Sequence, residues 1–136
     1  SLLSLGLAGK YLSFSGKMEA KIRLNNIQLY GYHSVDDNEK KNGQQFEIDI
    51  KAYTDLTAII KTDNVDATTD YSALYDKVVN VFSASGFNLI ESLANQIASP
   101  LTDDYCLSGC RVIIRKPDAP INGILDTVEV EVMHHG

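Results

Sequence analysis

The sequence is poor in the residues that build disulfide frameworks and zinc sites. It contains two cysteines among 136 residues, Cys106 and Cys110, and three histidines. Two cysteines are too few for a disulfide framework, and the histidines show none of the spacings at which zinc ligands recur. We therefore expect reduced thiols, a cytoplasmic location and no bound metal.

Positive charge and long apolar runs are also missing. The formal net charge is -6, so the chain lacks the broad positive field that a phosphate backbone requires. No apolar run approaches the roughly 20 residues that span a bilayer. The segment Leu2–Ala8 resembles a short signal-peptide core, but no basic residue precedes it. We expect neither nucleic acid nor a membrane as a partner.

What is present is the composition of one folded domain. Apolar residues make up 44% of the chain and charged residues 22%, which is typical of globular proteins. A chain of 136 residues can bury one hydrophobic core. We expect residues 1–17 to be an N-terminal extension or a remnant of expression, and residues 18–136 to form a single domain.

The first half of the chain predicts two strands joined by a polar loop. Apolar and polar residues alternate over Lys21–Tyr30, and the phase shifts at Asn25–Asn26, which predicts a strand with a bulge. The alternation over Gln45–Leu56 is cleaner and predicts a half-buried antiparallel strand. The segment GYHSVDDNEKKNGQ between them predicts a loop suited to functional residues.

The middle of the chain changes to helical periodicity. A first helix is predicted with Asp70 or Ser72 as its N-cap and with its end at Gly86. A second helix is predicted from Asn88, because apolar residues recur at spacings of three and four. Pro100 should kink this helix near its end or stop it.

Two more strands close the chain, over Arg111–Lys116 and over Asp126–Met133, where valines alternate with glutamates. The order is therefore ββααββ. This order predicts an α+β fold in which two helices cover one face of a four-stranded antiparallel sheet.

Six short motifs resemble those of the dihydroneopterin aldolase family, in the same order and at the same separations from about Lys21 to Glu131. They are GYH at 31–33, the spacing Glu39-x-x-x-Gly43-Gln44, TDNV at 62–65, DYSALYD at 70–76, LIESLANQIA at 89–98 and RKPDAPINGILD at 115–126. One departure is Ser34, since the family usually has a glycine after the histidine. A serine there alters a turn that favours positive φ.

The resemblance implies a tunnelling fold, in which four-stranded sheets from several subunits join edge to edge into a barrel. It implies a homo-oligomer, a tetramer or octamer, with active sites between subunits. It also implies a lyase of folate biosynthesis that splits dihydroneopterin into hydroxymethyl-dihydropterin and glycolaldehyde, with epimerase activity as a side reaction. Neither a metal, a cofactor nor a lysine Schiff base is implied.

The same resemblance assigns roles to five residues. Lys116 is implied as the catalytic residue, with Tyr71 and Glu39 taking part in catalysis. Glu39, Tyr71, Ile90 and Glu91 are implied to bind the dihydropterin substrate, Glu91 through the amino-pyrimidinone edge of the ring. Lys116 is also the last residue of a predicted strand and alternates with residues expected to face the core. Burial there would desolvate the ammonium and lower its pKa toward the range useful for acid–base catalysis.

Each of these residues also has a purely structural interpretation. Lys116 is then a lysine that snorkels off a strand end. Glu91 completes a capping box with Asn88. Tyr71 is a half-buried aromatic residue with a satisfied hydroxyl, and Glu39 is one charge of a solvated run.

Alternative functions stay open at this point. A dihydroneopterin triphosphate epimerase of the same fold would need basic residues for three phosphates, for which Lys40, Lys41 and Arg115 are candidates. A non-catalytic pterin-binding module would not require Lys116. A pyruvoyl-tetrahydropterin synthase needs a zinc-binding histidine triad, and the three histidines stand in the wrong places. The lone loop histidine His33 is predicted to pack in a turn.

Overall fold

The computed structural model describes residues 18–55, 70–84 and 86–136. The chain divides into two compact units, residues 1–20 with 55–69, and residues 21–54 with 70–136. Almost all described residues belong to the second unit, which contains the described helices and nearly all of the described sheet. The predicted extension 1–17 and the TDNV motif at 62–65 lie outside the described residues.

Four strands form one sheet in the order β1-β2-β3-β4. They are β1 (Glu19–Gly31), β2 (Gln44–Asp55), β3 (Gly109–Lys116) and β4 (Val128–His135). β2 pairs antiparallel with β3, and β3 pairs antiparallel with β4. The predicted four-stranded antiparallel sheet is confirmed, and β1 and β4 are its two edge strands.

Within the described residues, three helices accompany the sheet: α1 (Asp37–Asn42), α2 (Tyr71–Ala84) and α3 (Ile90–Asp104). α2 packs against α3, and α3 packs against β3 and β4. Asp70 caps α2, because its Oδ1 accepts a hydrogen bond from the Ser72 amide at 2.8 Å. The two long helices predicted from periodicity are confirmed, and of the two N-cap candidates the structure selects Asp70.

The hydrophobic core lies between the sheet and the two long helices. Alternate residues of β2 and β3 face it, and α2 and α3 face it with residues three and four apart. The residues with no exposed surface include Phe46, Ile48, Ile50, Leu74, Val78, Leu93, Ile97, Val112 and Ile114. The same alternation sends Arg111 and Arg115 of β3 to the other face of the sheet.

α1 corrects the prediction that the segment between β1 and β2 is a loop. The side chain of Asp36 caps the helix by accepting a hydrogen bond from the Glu39 amide at 3.1 Å. No residue of α1 is buried, so the helix carries no periodic apolar signal. The detectable signal was the spacing Asp36-x-x-Glu39, which is typical of a helix N-terminus.

The structure corrects the predicted start of α3 and excludes one of the two effects predicted for Pro100. The N-cap of α3 is Leu89, and no side chain caps it. The predicted start at Asn88 and the capping box between Asn88 and Glu91 were therefore wrong. Pro100 lies inside α3, which continues past it to Asp104, so the proline does not stop the helix.

Asn26 marks the irregularity predicted in β1. Its φ is 58°, a left-handed conformation that asparagine tolerates better than most residues. Its amide donates to Asp49 Oδ1 at 2.7 Å. Beyond this point Ile27 is buried although Asn25 and Asn26 are exposed, which confirms the predicted shift of phase.

The two cysteines are free thiols, Cys106 exposed and Cys110 buried. Burial raises the pKa of the Cys110 thiol to about 12. None of the described helices combines the length and the apolar composition that crossing a bilayer requires. The predicted cytoplasmic location stays a prediction.

Candidate active site

The connection between β1 and β2 brings polar side chains to the end of β3. Glu47, near the start of β2, lies opposite Arg115 of β3. Lys116 follows Arg115, so the residues that precede β2 arrive beside it. The connection includes Gly43, whose φ of 76° suits glycine and returns the chain from α1 into β2.

Lys116 and Glu39 form an ion pair that is mostly shielded from solvent. Lys116 Nζ lies 3.0 Å from Glu39 Oε1, and the two side chains are 12% and 13% exposed. Lys116 shares its strand parity with the fully buried Val112 and Ile114, as the alternation predicts. Pairs of titratable groups in such surroundings are common in catalytic sites.

Three donors converge on one oxygen of Glu39. Oε1 accepts hydrogen bonds from Ser34 Oγ at 2.5 Å, Gln44 Nε2 at 2.6 Å and Lys116 Nζ at 3.0 Å. Burial alone raises the pKa of this carboxyl, but the three hydrogen bonds and the Lys116 charge together hold the pKa below its usual range. Glu39 is therefore ionised at neutral pH.

Two acceptor atoms of this cluster have no hydrogen-bond partner among the described residues. No hydrogen bond among the described residues reaches Glu39 Oε2. The buried Gln44 Oε1 likewise has no hydrogen-bond partner within the described part of the chain. A buried amide oxygen is costly unless it accepts a hydrogen bond. Glu39 Oε2 is thus suited to a hydroxyl or N–H donor of a bound molecule, whereas Gln44 Oε1 is enclosed by the protein.

His33 serves the core beside this cluster. It is 2% exposed, and Phe87 N–H donates to its Nδ1 at 2.9 Å. Nδ1 therefore carries no proton, and Nε2 donates to the Phe82 carbonyl oxygen at 2.8 Å. Burial lowers the pKa of the ring more than the bond to Phe82 raises it. The predicted packing role of His33 is confirmed.

The stability of the fold should fall as the pH drops below about 6.5, the ordinary pKa of histidine. Because the folded pKa of His33 is lowered, the unfolded chain binds a proton between the two pKa values that the folded chain does not bind. The contribution of His33 to the free energy of unfolding is present above its pKa in the unfolded chain. It is lost as the pH falls toward its pKa in the folded chain.

Urea unfolding between about pH 7.5 and 5.5 measures this contribution. His33→Gln should show a weaker loss of stability on acidification than the wild type does. His135→Gln is the matched control, since His135 is exposed at the end of β4. Equal pH dependence in His33→Gln and the wild type would contradict the assignment.

The other predicted site residues stand at the starts of the two long helices. Tyr71, the first residue of α2, is 66% exposed. Ile90 and Glu91 open α3, Ile90 buried and Glu91 exposed. Within the described ranges neither Tyr71 nor Glu91 forms a hydrogen bond or ion pair with Lys116 or Glu39. One chain therefore unites Lys116 with Glu39 and leaves Tyr71 and Glu91 exposed.

Two residues of the cluster, Ser34 and Gln44, were not predicted as site residues. The signal for Gln44 was its place in the spacing Glu39-x-x-x-Gly43-Gln44. Ser34 gave no signal for its contact with Glu39, because a small polar residue in a polar loop is ordinary. Its backbone is also not in the left-handed region, which among the described non-glycine residues is occupied by Asn26 and Cys106.

Comparisons with known proteins establish the family. The sequence profile of dihydroneopterin aldolase matches residues 22–133. The chain is 33% identical over 113 residues to the dihydroneopterin aldolase of Bacillus subtilis, covering 82% of this chain and 94% of that one. It is 34% identical over 113 residues to the Staphylococcus epidermidis enzyme, covering 82% and 93%.

A solved structure supports the fold. Dihydroneopterin aldolase of E. coli in complex with neopterin superposes with a TM-score of 0.75 at 22% identity, covering 85% of this chain and 98% of that one. A shielded lysine–glutamate pair of this kind can support acid–base chemistry. The chain belongs to the dihydroneopterin aldolase family. The predicted class, a lyase of folate biosynthesis, is confirmed at the level of this family.

Proposed function

We propose that this chain cleaves dihydroneopterin to hydroxymethyl-dihydropterin and glycolaldehyde, with Lys116 and Glu39 at the reacting side chain of the substrate. The observation that carries the proposal is the ion pair between Lys116 Nζ and Glu39 Oε1 at 3.0 Å, shielded from solvent at the end of β3. Membership of the family supports it. The complex of the E. coli relative with neopterin supports a pterin substrate.

The reaction requires little from the protein beyond proton transfer and orientation. A retro-aldol step removes a proton from a side-chain hydroxyl, breaks the adjacent carbon–carbon bond and releases an electron pair. In a dihydropterin the ring imine accepts that pair, and the pterin carbon then takes up a proton. One proton is removed and one is returned, so a single group that first accepts and then donates is sufficient.

We assign this exchange to Lys116. Oε1 of Glu39 stays hydrogen-bonded to its three donors. Oε2 is the atom suited to accept a hydrogen bond from a hydroxyl of the substrate's tail. Tyr71 is assigned to proton transfer and to stacking near the pterin ring.

Glu91 and Ile90 are assigned to the pterin ring itself. A carboxylate can accept both N–H donors of an amino-pyrimidinone edge at once. Glu91 lies in the first turn of α3, where the helix dipole favours its negative charge. Since no capping hydrogen bond occupies its side chain, it is available to a ligand. Backbone groups at Ile90 lie next to it and are assigned to the same ring.

We further propose that several chains assemble into a barrel with active sites between subunits. β1 and β4 are the edges of the sheet that the described residues form, and the edges of a sheet are surfaces on which other strands can add. Large apolar side chains are exposed at Tyr71, Leu89 and Ile124, and burying them in an interface would remove apolar area from water. Tyr71 would reach the site of a neighbouring chain.

Sedimentation should show a tetramer or octamer. Co-expression gives a sharper test of the shared site: Lys116→Ala and Tyr71→Ala should each be inactive as pure oligomers, whereas mixed oligomers should regain part of the activity. The gain arises because some interfaces then combine an intact Lys116 with an intact Tyr71 from different chains. A fully active monomer at assay concentration would rule out the shared site.

The contacts of Arg115 weaken the epimerase alternative. Its guanidinium donates to the two oxygens of Asp49 at 2.7 and 2.9 Å and to Glu47 at 3.2 Å. It also lies on the sheet face opposite Lys116. Two carboxylates thus match its charge, and it is not available to a triphosphate. A non-catalytic pterin binder would not require Lys116.

The reaction should need no metal, because the substrate's imine takes up the released electrons. Protein treated with EDTA and then given dihydroneopterin should release glycolaldehyde at the rate of untreated protein. A parallel sample with added zinc is the control. Complete loss of turnover in EDTA, with recovery on adding zinc, would contradict this mechanism.

A further inference from the structure

Ser34 places a buried hydroxyl against Glu39, although no step of the proposed reaction uses it. Ser34 is 3% exposed, and its Oγ donates to Glu39 Oε1 at 2.5 Å. The same Oγ accepts the Asp36 amide at 2.9 Å. Burying a hydroxyl is costly unless it is hydrogen-bonded, and here it has both a donor and an acceptor as partners.

The hydrogen bonds fix the direction of the Ser34 proton. A serine hydroxyl has one proton and two lone pairs. Because the Asp36 amide occupies a lone pair, the proton is directed to Glu39. The O···O distance of 2.5 Å is typical of a hydroxyl bonded to an ionised oxygen. This bond therefore favours the charged form of Glu39 over the protonated form.

A closed ring of hydrogen bonds ties Ser34 to Glu39. Ser34 Oγ accepts from the Asp36 amide, the Asp36 side chain accepts from the Glu39 amide at 3.1 Å, and the Glu39 carboxylate accepts from Ser34 Oγ. The ring joins the segment after β1 to the first turn of α1. It holds both the backbone and the carboxylate of Glu39.

The three donors to Glu39 Oε1 differ in whether their charge changes during turnover. In the proposed reaction Lys116 gains and loses a proton, so its attraction for Glu39 changes during turnover. Ser34 and Gln44 are neutral, and their hydrogen bonds persist when Lys116 is uncharged. They can hold the carboxylate in one orientation throughout the cycle.

We propose that Ser34 is a positioning residue of this enzyme: its hydroxyl keeps Glu39 ionised and holds Oε1, so that Oε2 stays directed to the substrate in both charge states of Lys116. The effect on turnover rests on the proposed function. The effect on the ionisation of Glu39 is a property of the folded chain and needs no substrate.

Carbon-13 NMR of protein labelled at its glutamate carboxyls directly tests the effect of Ser34 on the ionisation of Glu39. Glu39→Gln assigns the Glu39 signal by its disappearance. In Ser34→Ala the Glu39 carboxyl should titrate at higher pH than in the wild type, since a donor to the charged form is lost. Ser108→Ala is the control, because Ser108 Oγ donates a hydrogen bond to the Tyr53 carbonyl oxygen, next to the opposite end of β3 and away from Glu39. Equal Glu39 titration in Ser34→Ala and the wild type would overturn the proposal.

A double-mutant cycle tests the effect on turnover. Ser34→Ala should lower kcat/KM about tenfold, the lower range for a hydrogen bond to a charged group. The acid limb of its pH profile should move to higher pH. In a Glu39→Gln background, Ser34→Ala should lower kcat/KM little further, because the carboxylate on which Ser34 acts is absent. An equal loss in both backgrounds would show that Ser34 acts otherwise and would overturn the proposal.

Two arrangements keep the experiments decisive. Ser34→Cys keeps a side chain of similar size with a weaker donor, so it replaces Ser34→Ala in each comparison if the alanine variant fails to fold. If the wild type releases no glycolaldehyde, the proposed function fails, and the NMR titration still decides the role of Ser34.

Discussion

Replacing Lys116 with alanine should lower kcat by about 10²–10⁴-fold, the range typical of losing a positioned acid–base group. The affinity for the pterin product should stay close to that of the wild type, because the ring is assigned to Glu91 and Ile90. Stopped-flow or steady-state assays with dihydroneopterin give kcat, and fluorescence titration with the product gives the dissociation constant.

The structure provides a control for this substitution. Lys40 is an exposed lysine in the last turn of α1, so Lys40→Ala removes the same charge from the same part of the molecule without touching the ion pair. It should turn over like the wild type. Ser34 and Gln44 also donate hydrogen bonds to Glu39, so the carboxylate should remain in place in Lys116→Ala. Normal turnover by Lys116→Ala would remove Lys116 from the mechanism.

The second large effect is expected at Glu91. Glu91→Gln replaces one acceptor oxygen with a donor facing the N–H groups of the pterin edge. We expect KM and the product dissociation constant to rise about 10- to 100-fold, the scale of a hydrogen bond to a charged group. The effect on kcat should be smaller, because the edge is bound in the ground state and the transition state alike.

The contacts at the start of α3 simplify the interpretation of this variant. Glu91 belongs to no capping box, since Leu89 is the N-cap and has no side-chain hydrogen bond. Thermal melts of Glu91→Gln should therefore resemble those of the wild type. Asp103→Asn, the same chemical change at an exposed position in the last turn of α3, is the control. Product affinity in Glu91→Gln equal to the wild-type value would refute the anchor assignment.

The sheet and the two long helices follow from local periodicity because their burial is regular. β2 alternates buried and half-buried residues along most of its length, and α3 buries residues at spacings of three and four, such as Ile90, Leu93, Ala94 and Ile97. A pattern of this kind reports which side of an element faces the core. Phase shifts are visible too, as at Asn26.

The features that periodicity does not predict are short or non-local. α1 has six residues and buries none of them. The partner of Lys116 lies 77 residues earlier in the chain, and no local pattern encodes that contact. The resemblance to the family named both Lys116 and Glu39, but the hydrogen bonds of Ser34 and Gln44 to Glu39 depend on how α1 folds against the start of β2.

The helix boundaries show the same limit. Asn88 and Glu91 have the identities and spacing of a capping box, yet α3 begins one residue later than that box requires. Propensity for a cap is a weak preference worth about 1 kcal/mol. Packing of the buried Ile90 and Leu93 against the core involves a larger free energy, so tertiary structure sets the start of the helix.

Product analysis tests most directly the central claim that the Lys116–Glu39 site cleaves dihydroneopterin. Purified protein is incubated with dihydroneopterin, and both products are quantified over time by chromatography and mass spectrometry. We predict equal amounts of hydroxymethyl-dihydropterin and glycolaldehyde, formed at a rate that depends on Lys116. A product with the mass of the substrate and no glycolaldehyde, or cleavage that proceeds unchanged in Lys116→Ala, would contradict the claim.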